Sequence, residues 1–194
     1  MSRINYIFVD FENVQETDLD RIANRLAKVR LVLGERHKSL PVKLVKLIQK
    51  FAAQVQLIET GLNGKNALDF VLACEIGVES AKNPDGYFHV LSRDKGFDAL
   101  IRHLKNKGIL AARHESFSEI PVLMNLAERT RLLASHFKLN QASRPKKRKT
   151  LESQIQADFG KTLSPTEVEQ TIQGLVTGKI ITLSETGAVA YTID

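Results

Sequence analysis

The chain has 194 residues, 43% of them hydrophobic, a formal net charge of +6 and one cysteine, Cys74. That length can bury one sizeable domain and a small extra, and a lone cysteine excludes an internal disulfide and any cysteine-rich zinc site. No apolar run reaches membrane-spanning length and Met-Ser-Arg-Ile-Asn-Tyr is not a signal peptide, so the expectation is a soluble cytoplasmic protein with no membrane partner.

Asn5-Tyr6-Ile7-Phe8-Val9 is a first strand, ending in Asp10-Phe11-Glu12-Asn13. Leu19, Ile22, Ala23 and Leu26 have helical spacing within 18–27. Val29–Leu33 is a second strand, closed by Gly34. Pro41 opens a helix with Val42, Leu44, Val45, Leu47, Ile48 and Phe51 as its apolar positions. Val55–Glu59 is a third strand. A long apolar helix runs from Asn66 to about Ala81 and includes Cys74, read as a small core residue. After the Asn83-Pro84-Asp85-Gly86 turn, Tyr87–Leu91 is a fourth strand. Ser92-Arg93-Asp94-Lys95-Gly96-Phe97-Asp98 leads into a fourth helix, placing Asp94 and Asp98 in its first turn on one face, with Gly96 leaving room between them. Ile109–Ala112 is a fifth strand and Pro121 to about Leu139 a fifth helix.

Five strand–helix units in alternation predict a parallel sheet with helices on both faces over residues 1–140. Residues 141–149 hold five basic residues and no acid, and read as a basic linker. Residues 150–194 follow as a small module with two basic residues against six acids. It comprises a helix over 151–159, a second helix opened by the capping box Ser164-Pro165-Thr166-Glu167, and a hairpin around Thr186-Gly187. Two helices and a hairpin resemble a winged-helix module. Its acidity points to a protein contact or a homodimer as readily as to nucleic acid.

Sites in doubly wound sheets form at the carboxyl ends of the strands. Asp10 follows the first strand, Asp69 begins the helix after the third, and Asp94 and Asp98 follow the fourth. Acids after three strands converge on one crevice and cannot all stay ionised without a cation. Hard oxygen ligands suit magnesium or manganese, and such ions support phosphodiester hydrolysis. Lys65, Arg93 and Lys95 are placed to hold a phosphate backbone, as are Lys146, Lys147, Arg148 and Lys149 of the linker. His89, His103 and His114 show no ligand spacing and receive no role.

Three stretches carry a resemblance. Val9-Asp10-Phe11-Glu12-Asn13 resembles the opening motif of NYN domains, within the PIN-like nuclease superfamily. Lys65-Asn66-Ala67-Leu68-Asp69, with Glu75 six residues on, is similar to that family's central lysine–aspartate helix. Ser92 to Asp98 is similar to its serine-x-aspartate-x-x-phenylalanine-aspartate motif. The resemblance covers roughly residues 4–115. It implies a PIN-like, Rossmannoid fold and a metal-dependent endoribonuclease, with Asp10, Asp69, Asp94 and Asp98 as ligands and Asn13 orienting Asp10 or a bound water. Asn66 stands where glycine is common, Glu75 where aspartate is usual, and Arg93 and Lys95 where smaller or acidic residues often occur. Six residues is about 240° of helix, using ~3.6 residues per turn, so Glu75 is left out of the ligand set. The C-terminal module faintly resembles a LOTUS-type module. Two other readings remain: a nucleic-acid-binding adaptor on the same fold with little or no cleavage, and a nucleotide-binding Rossmann-like protein. The second lacks a glycine-rich loop after the first strand.

Overall fold

The computed structural model describes residues 3–15, 18–35, 37–61, 64 and 66–193. They form two compact units, 1–120 and 121–194. None of the described helices is long and apolar enough to cross a membrane.

The first unit is an α/β fold built on a five-stranded parallel sheet. Its strands are β1 (Asn5–Asp10), β2 (Ala27–Leu33), β3 (Val55–Glu59), β4 (Tyr87–Leu91) and β5 (Leu110–His114), in the spatial order β3-β2-β1-β4-β5. The order reverses between β1 and β4, so the crevice at their carboxyl ends is the switch point of the sheet. Alternate residues of the central strands point to opposite faces. Tyr6, Phe8, Val32, Phe88, Val90 and Ala111 pack with Leu68, Leu72 and Ile76 of helix α2 (Ala67–Lys82). Phe97, Ile101 and Leu104 of helix α3 (Phe97–Asn106) complete that layer. On the other face Ile7, Val9, Val29, Leu31 and Leu91 are fully buried too, as are Leu19 and Ile22. Both faces of the sheet are therefore covered, as near-continuous apolar strands require.

Helix α1 (Val42–Lys50) and α2 lie where the apolar periodicity puts them. The 18–27 segment does not form the expected α-helix. It makes one 3-10 turn, Leu19–Ile22, and β2 begins at Ala27. Asn24 adopts positive φ just beyond the turn, which ends helical propagation. Cys74 is exposed, because α2 buries the stripe Leu68, Leu72, Ile76 and Ser80 and turns Cys74 away from it.

The second unit begins earlier than the composition suggests. Helix α4 (Leu126–Leu139) is capped by a reciprocal Asn125–Glu128 box. Its Leu133 and Phe137 join Leu151 and Ile155 of α5 (Arg148–Asp158), Val168, Ile172 and Leu175 of α6 (Pro165–Thr177), and Ile181 and Val189 in one core. The boundary therefore falls at Ile120–Pro121 and not at residue 140. An amphipathic stripe reports that a helix covers a core, not which core it covers.

The stretch 141–149 is not a linker. Tyr191 donates to the Pro145 carbonyl at 3.0 Å, Val189 N–H donates to the Lys146 carbonyl at 3.0 Å, and Lys147 bridges Ala188 in antiparallel fashion. This adds a third edge to the hairpin β6 (Ile181–Leu183) and β7 (Val189–Tyr191). Arg148 is the first residue of α5. The capping box at Ser164–Glu167 forms as read, with Pro165 at the first helical position. Redrawing the boundary also changes the charge. Residues 121–194 carry ten basic residues against seven acids, so the second unit is net basic.

Candidate metal centre

β1 ends on Asp10, which is 0% exposed. The chain turns at once, with Asn13 and Val14 N–H groups donating to the Asp10 carbonyl at 3.2 and 2.9 Å. Burial of Phe11 and Val14 holds that turn down. It brings the Asn13 side-chain amide to Asp10 Oδ2, to which it donates at 2.6 Å, while Asn13 N–H donates to Oδ1 at 3.2 Å. From β4, the fully buried Ser92 donates its hydroxyl to the same Oδ2 at 2.7 Å. Asp10 is thus fixed from two sides, and among the described residues no lysine or arginine pairs with it. Asn13 therefore contacts both carboxylate oxygens of Asp10.

The Ser92 hydroxyl in turn accepts from the Asp94 N–H at 3.0 Å, and Asp94 Oδ1 accepts from the Gly96 N–H at 2.7 Å. Asp94 therefore lies in the loop before α3, with Gly96 at the helix cap. It is not in the first helical turn with Asp98, and the two do not share a helix face. Asp98 goes elsewhere. Its Oδ1 accepts from Arg113 Nε at 2.7 Å, and the same guanidinium donates to the Ser92 carbonyl at 2.8 Å. Asp98 is thus an ion-pair partner that ties α3 to β5, and the expected fourth ligand is engaged by a cation side chain. Arg113 carries no motif signal. It comes to the site only because β5 lies beside β4.

Asp69 sits in the first turn of α2, half-buried. Burial raises its pKa above the ordinary carboxylate value, and the charges of Asp10, Asp94 and Glu12 raise it further. Asp69 thus feels the charges of Asp10 and Asp94. Glu12 joins them, a residue the sequence reading passed over inside its own motif. A Cβ at Gly34 would collide with the Glu12 carboxylate, so the glycine closing β2 makes room for that acid. Asn66, preceding α2, adopts φ +63. Asparagine tolerates that left-handed conformation better than most residues with a side chain. Arg93 and Lys95 are exposed on the β4–α3 loop. Lys65 lies outside the described residues.

Of the C-terminal basic residues, Lys146, Lys147 and Lys149 are exposed. Arg148 is not available to a phosphate, since it pairs with Glu152 at 3.0 Å and with Glu169.

Does this set fit a divalent ion? Among the described residues no three His, Cys, Asp or Glu side chains stand close enough to grip a bare ion as they are. Magnesium, however, dehydrates reluctantly and keeps several waters, so carboxylates gathered at a wider spacing still serve it. The donors are all hard oxygens, and their mutual repulsion at Asp69 is what a cation would relieve. The donor chemistry of Asp10, Asp69 and Asp94, all carboxylate oxygens, is of the kind that magnesium and manganese take.

A comparison with protein-family models matches the PIN domain to residues 4–114. Neither the curated proteins nor the solved structures contain a match to this chain.

Proposed function

The chain belongs to the PIN-domain family, whose members are typically nucleases that need divalent metal ions, and from that premise we propose that it is an endoribonuclease of the NYN type. The observation that carries the reading is Asp10. Burying a carboxylate without a cationic partner is costly, and among the described residues this one, at the switch point of the sheet, is held by three hydrogen bonds and no cation. Such a group is stable when a metal ion completes its surroundings.

A bound magnesium or manganese ion would supply an activated water and would stabilise the charge that develops on the phosphate. The chain's own residues do the rest. Asn13 and Ser92 hold Asp10 in one orientation, so the anchoring carboxylate needs no rearrangement. Asp69 and Asp94 face it from α2 and from the β4–α3 loop. Arg93 and Lys95 on that loop hold the strand by its phosphates. The second unit we read as a winged-helix-like module, since α4, the Lys147 bridge, α5, α6 and the hairpin follow the order of such folds. It supplies either additional nucleic-acid contacts or a protein or self-association surface.

One observation favours the adaptor reading: Asp98 is already paired with Arg113. The test is cleavage of labelled single-stranded RNA and DNA with manganese, against chelator and against Asp94→Asn. The nuclease reading expects metal-dependent RNA cleavage, lost by orders of magnitude in a variant that keeps its fold. Binding without cleavage by the parent chain would establish the adaptor instead, and preferred DNA cleavage would overturn the choice of RNA.

A further inference from the structure

Phe70 is the residue after Asp69, and it is 72% exposed. Burial of such a side chain is favourable, so leaving it in water forgoes stability that the fold does not recover. No other aromatic ring among the described residues packs on it. It is also the one aromatic among the exposed large hydrophobic residues described. Its location is specific. Asp69, Phe70 and Ala73 of α2, with Asn66 just before it, face Asp94, Gly96, Phe97 and Leu100 across a pocket of about 310 Å³. Each wall carries one carboxylate, Asp69 on the α2 side and Asp94 on the other. The rest of the lining is largely apolar, and the exposed ring lies beside Asp69 on the α2 wall. The gap in the side chains at Gly96 keeps the two walls open to each other, and a Cβ there would press on Asp94 Oδ1 at 3.1 Å.

Resting on the nuclease reading above, we infer that Phe70 is a stacking platform for one unpaired nucleobase of the substrate strand, the base nearest the phosphate held at the acids. A flat, uncharged, π-faced group is what the exposed ring recognises, and the two carboxylates, one on each wall, exclude a second phosphate from the same pocket. The arrangement selects single strands. A base held in a duplex is stacked on its neighbours and cannot lie on Phe70. Stacking is tolerant of base identity, so the pocket sets strandedness and register and leaves sequence preference to other contacts.

The full chain is tested with short labelled single-stranded RNA and DNA, in the presence of manganese. Phe70→Ala and Phe70→Leu should each weaken binding about 5- to 150-fold and raise KM, since leucine keeps apolar area but has no ring. Phe70→Trp should restore binding. The chain has no tryptophan of its own, so this variant also reports stacking directly, through quenching of its single indole. An abasic nucleotide moved along the strand should cost the parent as much as Phe70→Ala at one position, and cost that variant nothing there. Phe70→Leu binding like the parent, or abasic losses that add to the Phe70→Ala loss at every position, would overturn the platform while leaving the nuclease assignment intact. A parent chain that neither binds nor cleaves either nucleic acid would overturn both.

Discussion

The Ser92 hydroxyl donates to Asp10 Oδ2 at 2.7 Å, joining residues 82 apart in the chain. The same oxygen of Ser92 accepts from the Asp94 N–H, so one hydroxyl sets two of the three gathered aspartates. Ser92→Ala removes a donor from a buried carboxylate and an acceptor from a loop amide. Thermal and denaturant melts should show a loss of about 1–3 kcal/mol. Manganese affinity, read by calorimetry, should fall about 10- to 100-fold, as for other groups that orient a ligand. Parent-like affinity in the variant would mean that Asn13 alone positions Asp10.

Asp69→Asn separates charge repulsion from metal binding. In the parent the ionised form of Asp69 is disfavoured by burial and by Asp10, Asp94 and Glu12. A carboxyl whose folded pKa is raised opposes folding above that pKa, and the penalty fades as pH falls through it. In chelator at neutral pH the variant should therefore melt higher than the parent, with the gap closing on acidification. With millimolar manganese the order should reverse, because the parent gains stability by mass action and the variant gains less. A variant that melts below the parent in chelator would show that Asp69 makes a stabilising contact instead.

A histidine pair inside the sheet predicts an acid limit. His89 Nε2 lies 2.9 Å from Asn5 Oδ1, and His89 Nδ1 lies 3.1 Å from His114 Nε2. With the Asn5 oxygen accepting, His89 donates from Nε2 and accepts at Nδ1 from His114, so both rings are neutral. Burial and then the His114 charge push His89 well below the ordinary value of 6.5, and burial chiefly lowers His114 to about 4. The unfolded chain therefore takes up protons first. Stability is fully present above pH 6.5 and is lost as pH falls from about 6.5 towards about 4. His114 alone contributes on the order of 3 kcal/mol to that loss. Urea midpoints at pH 7 and pH 4.5 check it, and His114→Gln, which keeps a donor towards His89, should flatten the difference. A flat profile in the parent would contradict the buried pair.

The exposed lysines of the second unit give a salt prediction. Replacing Lys146, Lys147 and Lys149 with alanine should reduce the slope of log affinity against log salt by about 2, at roughly 0.7 per single-strand phosphate. Arg148→Ala should leave the slope unchanged and lower the melting temperature instead, because Arg148 serves Glu152 and Glu169. Parent-like slopes in the triple variant would confine RNA contact to the first unit.

The sheet was legible because its strands are short apolar runs with turn residues between them, and β3 and β4 have the bounds that their patterns give. Asp10, Asn13, Asp69 and Asp94 were legible as motif positions. Asp98 was misread because spacing along a helix says nothing about a cation on the next strand, and Arg113 arrives by strand order alone. Ser92 was in view but was read as motif context; only the closed β1–β4 pair shows that its hydroxyl reaches Asp10. Phe70 was hidden for the opposite reason. In a long apolar helix nothing in the sequence marks which phenylalanine is left outside. The basic stretch 141–149 read as a linker because bridging the hairpin by backbone groups leaves no side-chain pattern.

Strand order also dictates when activity can arise during synthesis. The first three strands can assemble as a half-sheet with β1 at its edge, before β4 exists. In that state Asp10 is an uncovered edge carboxylate, Ser92 has not emerged, and the loop bearing Asp94 is unmade. Local contacts complete the half-sheet quickly, whereas the β1–β4 pairing closes a loop of about 80 residues and comes late. On the nuclease reading, a nascent chain would be inert towards RNA until its central strand pair has zipped, since that pairing is what brings Ser92 and the Asp94 loop to Asp10.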